Sequence, residues 1–155
     1  MSDEPSPPTF AGRPFEAVLV EETDHAVIMA GADGAIRFWN PAATAMFGHS
    51  REEALGRSLD LIIPDKLRDR HWDGYHRVMA TGETEYTGRT LAVPALRADG
   101  TRISVEFTVT LLHDGDGAVA GIAAIIRDVT AQWEEQRTLR RRLAELEREA
   151  AARAG

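Results

Sequence analysis

The spacing of apolar residues along this chain changes several times, and each change marks a new element. Phe15, Val18 and Leu19 fall on one face of a short helix that Pro14 opens, predicted over residues 15–23 and packed on the core or on a second subunit. Ala26–Ala30 and Ala35–Trp39 flank Gly31-Ala32-Asp33-Gly34, which predicts strand, tight turn and strand, with Asp-Gly supplying the positive φ. Asn40 caps and Pro41 opens a helix through Phe47 that Gly48 stops; Ser50 and Glu53 form the capping box of a second short helix ending at Gly56. The next helix is capped by Asp65 and closed by Gly82. It aligns Leu67, His71, Tyr75 and Val78/Met79 at steps of three and four, so the His71 imidazole faces inward.

Beyond Gly82 the period falls to two. A strand is expected from Tyr86 to Leu96, with Leu91, Val93 and Ala95 on one face. After the Arg97–Gly100 turn, Ile103, Val105, Phe107, Val109 and Leu111 alternate strictly with polar residues, and after the His113–Gly117 turn a last strand covers Val119–Ile126. The sum is an α+β fold: a five-stranded antiparallel sheet with short helices against one face. Residues 131–155 read as one charged helix whose only apolar stripe is Leu139, Leu143, Leu146 and Ala150, at steps of four, three and four. A stripe this narrow suits a coiled-coil dimer seam better than a helix folded back on its own domain. Residues 1–14 are rich in Pro and Ser and are expected as a disordered tail, leaving 24–130 as the main domain.

Composition acts mainly by exclusion. The net charge is -7, so a surface built to release counterions from nucleic acid is not expected. There is no cysteine, which removes disulfides, thiolate metal sites and cysteinyl adducts, and leaves histidine as the strong metal ligand. No run approaches the roughly 18 to 20 apolar residues of a membrane helix, and the start lacks a signal-peptide pattern, so a cytoplasmic protein is expected. Met1 and the Ala-rich end suit a small complete protein. No phosphate loop, nucleophile elbow or inward carboxylate pair is present, so no enzyme is expected; Asp60, Asp65 and Asp69 read as caps and surface charge.

His71 therefore carries the candidate chemistry, either as a core histidine or as a metal ligand. His71 and His76 are five apart, not the four that sets two ligands on one helix face, so a zinc site is disfavoured. Gly74, one turn beyond, sits mid-helix at a cost of about 1 kcal/mol relative to alanine. It admits either a neighbouring chain segment or a flat macrocycle.

Ala32-Asp33-Gly34, Trp39-Asn40-Pro41-Ala42-Ala43, Phe47-Gly48, Glu53-Ala54-Leu55-Gly56, Arg97-Ala98-Asp99-Gly100-Thr101 and Arg127-Asp128-Val129-Thr130 together resemble the motif series of PAS sensory domains, from about His25 to Thr130. The resemblance implies a sheet cupping a ligand cavity, and a relay at Asp128 and Thr130 into the C-terminal helix. The absent cysteine excludes the adduct-forming flavin type and the thioester-linked chromophore type; a non-covalent flavin ranks behind heme. His71 stands seven residues after Pro64, and Arg70-His71, Tyr75 and Thr81-Gly82-Glu83 are similar to the heme-binding branch of rhizobial oxygen-sensing kinases. That resemblance implies His71 as axial ligand of heme b, with Leu67, Gly74, Tyr75, Leu91, Val93, Phe107, Val109, Ile122 and Ala124 around the cofactor. It also implies oxygen or another diatomic gas as ligand, and a kinase or transcriptional regulator as partner of a homodimer. Two departures stand out: Tyr75 is four rather than three residues after the histidine, as though Trp72 were added, and the oxygen-binding arginine aligns with either Arg89 or Leu91. With Leu91 at the iron, the pocket is apolar and oxygen loses ground to carbon monoxide. The competing reading is a cofactor-free or small-ligand module for dimerisation and partner binding.

Overall fold

The computed structural model describes residues 5–86 and 88–155. Two short strands, β1 (Thr9–Phe10) and β2 (Arg13–Pro14), pair as a hairpin and lead into α1 (Phe15–Glu22). The expected tail is thus corrected over residues 9–14, while its first four residues lie outside the described part. The hairpin closes through Ala11 (φ 50) and Gly12 (φ 75), a two-residue turn, and sets the Phe10 ring 6.3 Å from that of Phe15.

β3 (Ala26–Gly31) and β4 (Ile36–Trp39) follow as the predicted hairpin, then α2 (Pro41–Phe47) and α3 (Arg51–Ala54). Both caps form as the sequence implies: the Asn40 side chain accepts from the Ala43 N–H, and Ser50 and Glu53 close a reciprocal capping box. Asn40 does more than cap. Wholly buried, its Oδ1 also accepts from the Val27 N–H, and its Nδ2 donates to the carbonyls of Val20 and His25, tying α1, β3 and α2 at one point. Asn40→Ala would remove the side-chain partner of four backbone groups, one buried and three part-buried, and we expect a loss of about 3 kcal/mol in urea unfolding.

Two 3-10 turns (Leu59–Ile62 and Asp65–Leu67) precede α4 (Arg68–Thr81), which Gly82 ends at φ 70. Asp65 is not the helix cap: it lies inside the second 3-10 turn, and its carboxylate pairs with Arg68 at 2.8 Å. β5 (Leu91–Leu96) starts five residues later than expected, because the Arg89 N–H bonds the Tyr86 carbonyl and Gly88 takes φ 72, which makes this stretch a turn. β6 (Arg102–His113), β7 (Val119–Asp128) and α5 (Thr130–Ala154) complete the chain.

The five-stranded sheet has the order β4-β3-β7-β6-β5, all neighbours antiparallel. Its register builds inner-face rows that matter for the site: Leu91–Phe107–Ile126–Ala26, then Val109–Ala124–Ile28, then Leu111–Ile122–Ala30. Ile28, Ile36, Trp39, Phe47, Ile103, Val105 and Ile126 form the core with help from Leu59, Leu61 and Ile62, so α2, α3 and the first 3-10 turn cover this face. α5 leaves the sheet at Val129, whose N–H bonds the Ser104 carbonyl, and buries no residue. Its start at Thr130 moves the domain boundary one residue earlier than expected.

Candidate functional site

The site is built around α4. This helix is anchored at the end of the sheet where β3 finishes and β7 begins: the Tyr75 hydroxyl donates to the Gly31 carbonyl at 2.5 Å, and Gly82 lies against Val119. Burial next to Asp33 raises the Tyr75 pKa to about 12, so the phenol stays a proton donor throughout the physiological range. Tyr75 therefore serves first as a tether of the helix rather than as a free wall residue. Tyr75→Phe keeps the ring and loses only this bond, and chemical denaturation should register about 1 to 2 kcal/mol of lost stability.

One turn back along the helix, His71 packs between two aromatics. Its ring lies 4.7 Å from that of Trp72, edge to face, and 5.7 Å from that of Tyr75. The Nδ1 atom is buried and has no hydrogen-bond partner. Burial lowers the His71 pKa, the Asp60 carboxylate opposes that shift, and His76 adds to it. The net result favours neutral imidazole, the form that binds a metal. Asp73, the acidic neighbour in sequence, is exposed and forms no bond to the ring.

Trp72 is itself pinned. Its Nε1 donates to Asp60 Oδ1 at 2.7 Å, and its ring fills the notch over Gly34, where any Cβ would collide with it. Arg68 braces the same corner by donating to the carbonyls of Ile63 and Asp60. Asp60 thus does more than carry surface charge: it fixes the aromatic wall beside His71. No local sequence signal marks that role, because Asp60 and Trp72 belong to different elements and meet only in the fold. Gly74 faces open space: a Cβ added there would meet nothing within 4 Å, so no neighbouring strand or side chain explains the glycine.

The sheet side of the site is apolar. Leu91, Phe107, Val109, Ile122 and Ala124 all lie on the inner-face rows and are half-buried. Val93 lies in the row of Val105 and Asp128, at the end of the sheet away from Gly31 and Val119, and it is 39% exposed. Leu67 lies half-buried in the 3-10 turn before α4 rather than in the helix itself. Leu91 opens β5 opposite Phe107, whereas Arg89 is exposed in the preceding turn, outside the sheet. Asp128 and Thr130 form a tight junction: Thr130 Oγ1 and N–H both donate to Asp128 Oδ1, and Thr130 Oγ1 accepts from the Ser104 N–H.

Elsewhere, a surface groove of about 470 Å³ runs between the N-terminal hairpin and α1, lined by Phe10, Phe15, Val18 and Leu19. Among the described residues no three His, Asp or Glu side chains converge as a metal-ion site. No described helix is long and apolar enough to cross a membrane.

Comparison with known proteins places this arrangement. The chain is 39% identical over 124 residues to a protein of Azorhizobium caulinodans, covering 79% of this chain and 17% of that protein. It is 29% identical over 126 residues to the oxygen sensor protein DosP of Escherichia coli, covering 79% of this chain and 14% of DosP. It is also 29% identical over 121 residues to the sensor protein FixL of Bradyrhizobium diazoefficiens, covering 78% of this chain and 24% of FixL. The chain thus spans less than a quarter of each of these relatives. The crystal structure of a PAS domain from Colwellia psychrerythraea superposes with a TM-score of 0.64 at 17% identity, over 75% of this chain and 95% of that one. A family model described as the PAS fold matches residues 20–134, and with the sheet order, the caps and the helix exit all in place, the chain belongs to the PAS family of sensory domains.

Proposed function

We propose that this PAS domain is a heme-based sensor of a diatomic gas, with His71 as the axial ligand of heme b and α5 carrying the signal to a partner. The observation that carries the reading is the buried, unpartnered Nδ1 of a largely neutral imidazole, on a helix tethered to the sheet through Tyr75. A buried polar atom without a partner costs free energy unless it has a use, and a ring kept neutral beside apolar walls is suited to metal ligation. The open space at Gly74 and the half-buried apolar rows fit a flat macrocycle. Bound heme would supply an iron that takes up a gas; His71 would hold it, Trp72 and Tyr75 would fix the imidazole, and Phe107, Val109, Ile122 and Ala124 would exclude water. DosP, a relative at 29% identity, is an oxygen sensor, which supports the same class of chemistry here. Hemin titration of the wild-type chain and of His71→Ala tests the reading.

The signal leaves through Asp128 and Thr130, whose bonds join β6 and β7 to the first turn of α5. The seam of α5 leaves Leu139, Leu143 and Leu146 exposed at 61%, 57% and 46%, a face that a second copy would cover. In a parallel two-stranded pair the flanks set Glu135 opposite Arg140 and Arg142 opposite Glu147 of the second copy, so the charges are complementary. A homodimer acting on a signalling protein in trans, such as a kinase or a transcriptional regulator, is the assembly we infer. A cofactor-free interaction module is the second reading. It is favoured by the Trp72 ring packed directly on His71, and a non-covalent flavin ranks behind both.

A further inference from the structure

We propose that the first half of α4, residues 68–73, is a latched flap: it pivots at Gly74, Trp72 holds it shut, and a ligand reaches His71 only when the latch lifts. As a gate this deepens the heme reading and rests on it.

The two halves of α4 are fastened to different parts of the molecule. Beyond Gly74 the helix is tied to the sheet, by the Tyr75 hydroxyl on the Gly31 carbonyl and by Gly82 against Val119. Before Gly74 the inward fastening is one side chain. The Trp72 indole donates to Asp60 Oδ1 at 2.7 Å and its ring closes over the buried Gly34, whereas Asp69, Arg70 and Asp73 are exposed and His71 Nδ1 has no partner. Arg68 bonds the Ile63 and Asp60 carbonyls from the very start of the helix, next to the second 3-10 turn, where it stays with the pivot end. The catch itself does not move with α4. Asp60 belongs to the first 3-10 turn, whose Leu59 N–H bonds the Gly34 carbonyl and whose Leu59, Leu61 and Ile62 pack on the core.

Gly74 sits between the two fastenings. A Cβ there would meet nothing within 4 Å, so packing does not call for glycine, and a glycine in mid-helix weakens the helix at the point where a pivot needs it. With the flap down, the Trp72 ring stands edge-on to His71, 4.7 Å between centres, and occupies the space beside the imidazole. One hydrogen bond and part of an indole oppose the opening, which leaves the raised state a minor one that a ligand can select.

Hydrogen exchange of the unloaded full chain tests the flap. A pivot at Gly74 breaks the helical bonds that cross it, from the amides of 74–77 to the carbonyls of 70–73, and spares those within the second half. Amides 75–77 should therefore exchange faster than 79–81, the reverse of ordinary fraying from a helix end. Asp60→Ala should raise the rates at 75–77 about tenfold, and Gly74→Ala should lower them about fivefold. Hemin uptake followed by stopped flow should keep the same order, faster in Asp60→Ala and slower in Gly74→Ala. Amides 75–77 as slow as 79–81, or rates that neither substitution moves, overturn the flap; hemin uptake that ignores both substitutions overturns the gate. In either case a Soret band that depends on His71 still upholds the heme reading. A chain that stays colourless overturns that reading and the gate with it, while the exchange pattern still decides the flap.

Discussion

Purified protein titrated with hemin is expected to develop a sharp Soret band that saturates at equimolar hemin, and His71→Ala is expected to abolish or shift it. The physical basis is that His71 is the only imidazole on the inward face of α4, while the chain has no cysteine and Tyr75 is held protonated by burial. His76, the nearest other histidine in sequence, is exposed with its ring stacked on the outer side of Trp72, 6.0 Å away. His76→Ala should therefore leave the band in place, which separates specific ligation from loose adsorption of hemin to any histidine. A band that survives in His71→Ala and vanishes in His76→Ala would move the ligand to the other ring. Far-ultraviolet circular dichroism of His71→Ala should match the wild type, because the residue makes no hydrogen bond that the fold depends on.

Much of this fold could be read from punctuation. Asn40-Pro41, Ser50–Glu53, Gly48 and Gly82 each carry a backbone reason for being where they are, and the structure uses them as caps and stops. The strict alternation from Arg102 to Leu111 likewise determines which side chains face the helices, because a strand has only two faces. The features that escaped are those whose cause lies outside the local segment. The β1–β2 hairpin has two-residue strands and an Ala-Gly turn, so it offers neither alternation nor the Asn-Gly signal; Phe10 against Phe15 accompanies it instead. The late start of β5 follows from a turn at Gly88 that apolar spacing around Leu91 cannot reveal. At the site, the inward stripe of α4 is legible from spacing, but the Trp72–Asp60 bond joins residues twelve apart in different elements and needs the fold to appear. Val93 shows the converse: alternation gives its face, but its position along the strand, at the end of the sheet away from Gly31, appears only in the register.

Leu143→Ala should convert a dimer of the full chain to monomer over a wide concentration range, and this is the more general test because it does not depend on any cofactor. Alanine keeps the helix, so α5 itself survives and only the seam is lost. Each copy gives up a leucine that is 57% exposed in the single chain, so the substitution disturbs little intrachain packing. Removing it from both helices of a pair should cost about 4 kcal/mol, or about a thousandfold in Kd. Arg141→Ala, on the outer face of the same helix, should leave the mass unchanged in light scattering. If Leu143→Ala remains a dimer, the contact lies elsewhere, and the exposed Phe10, Phe15 and Leu19 of the N-terminal groove become the residues to substitute next. If the wild type is itself monomeric at high concentration, the seam awaits a different helix, and the Asp128–Thr130 junction would then pass its signal to that partner directly.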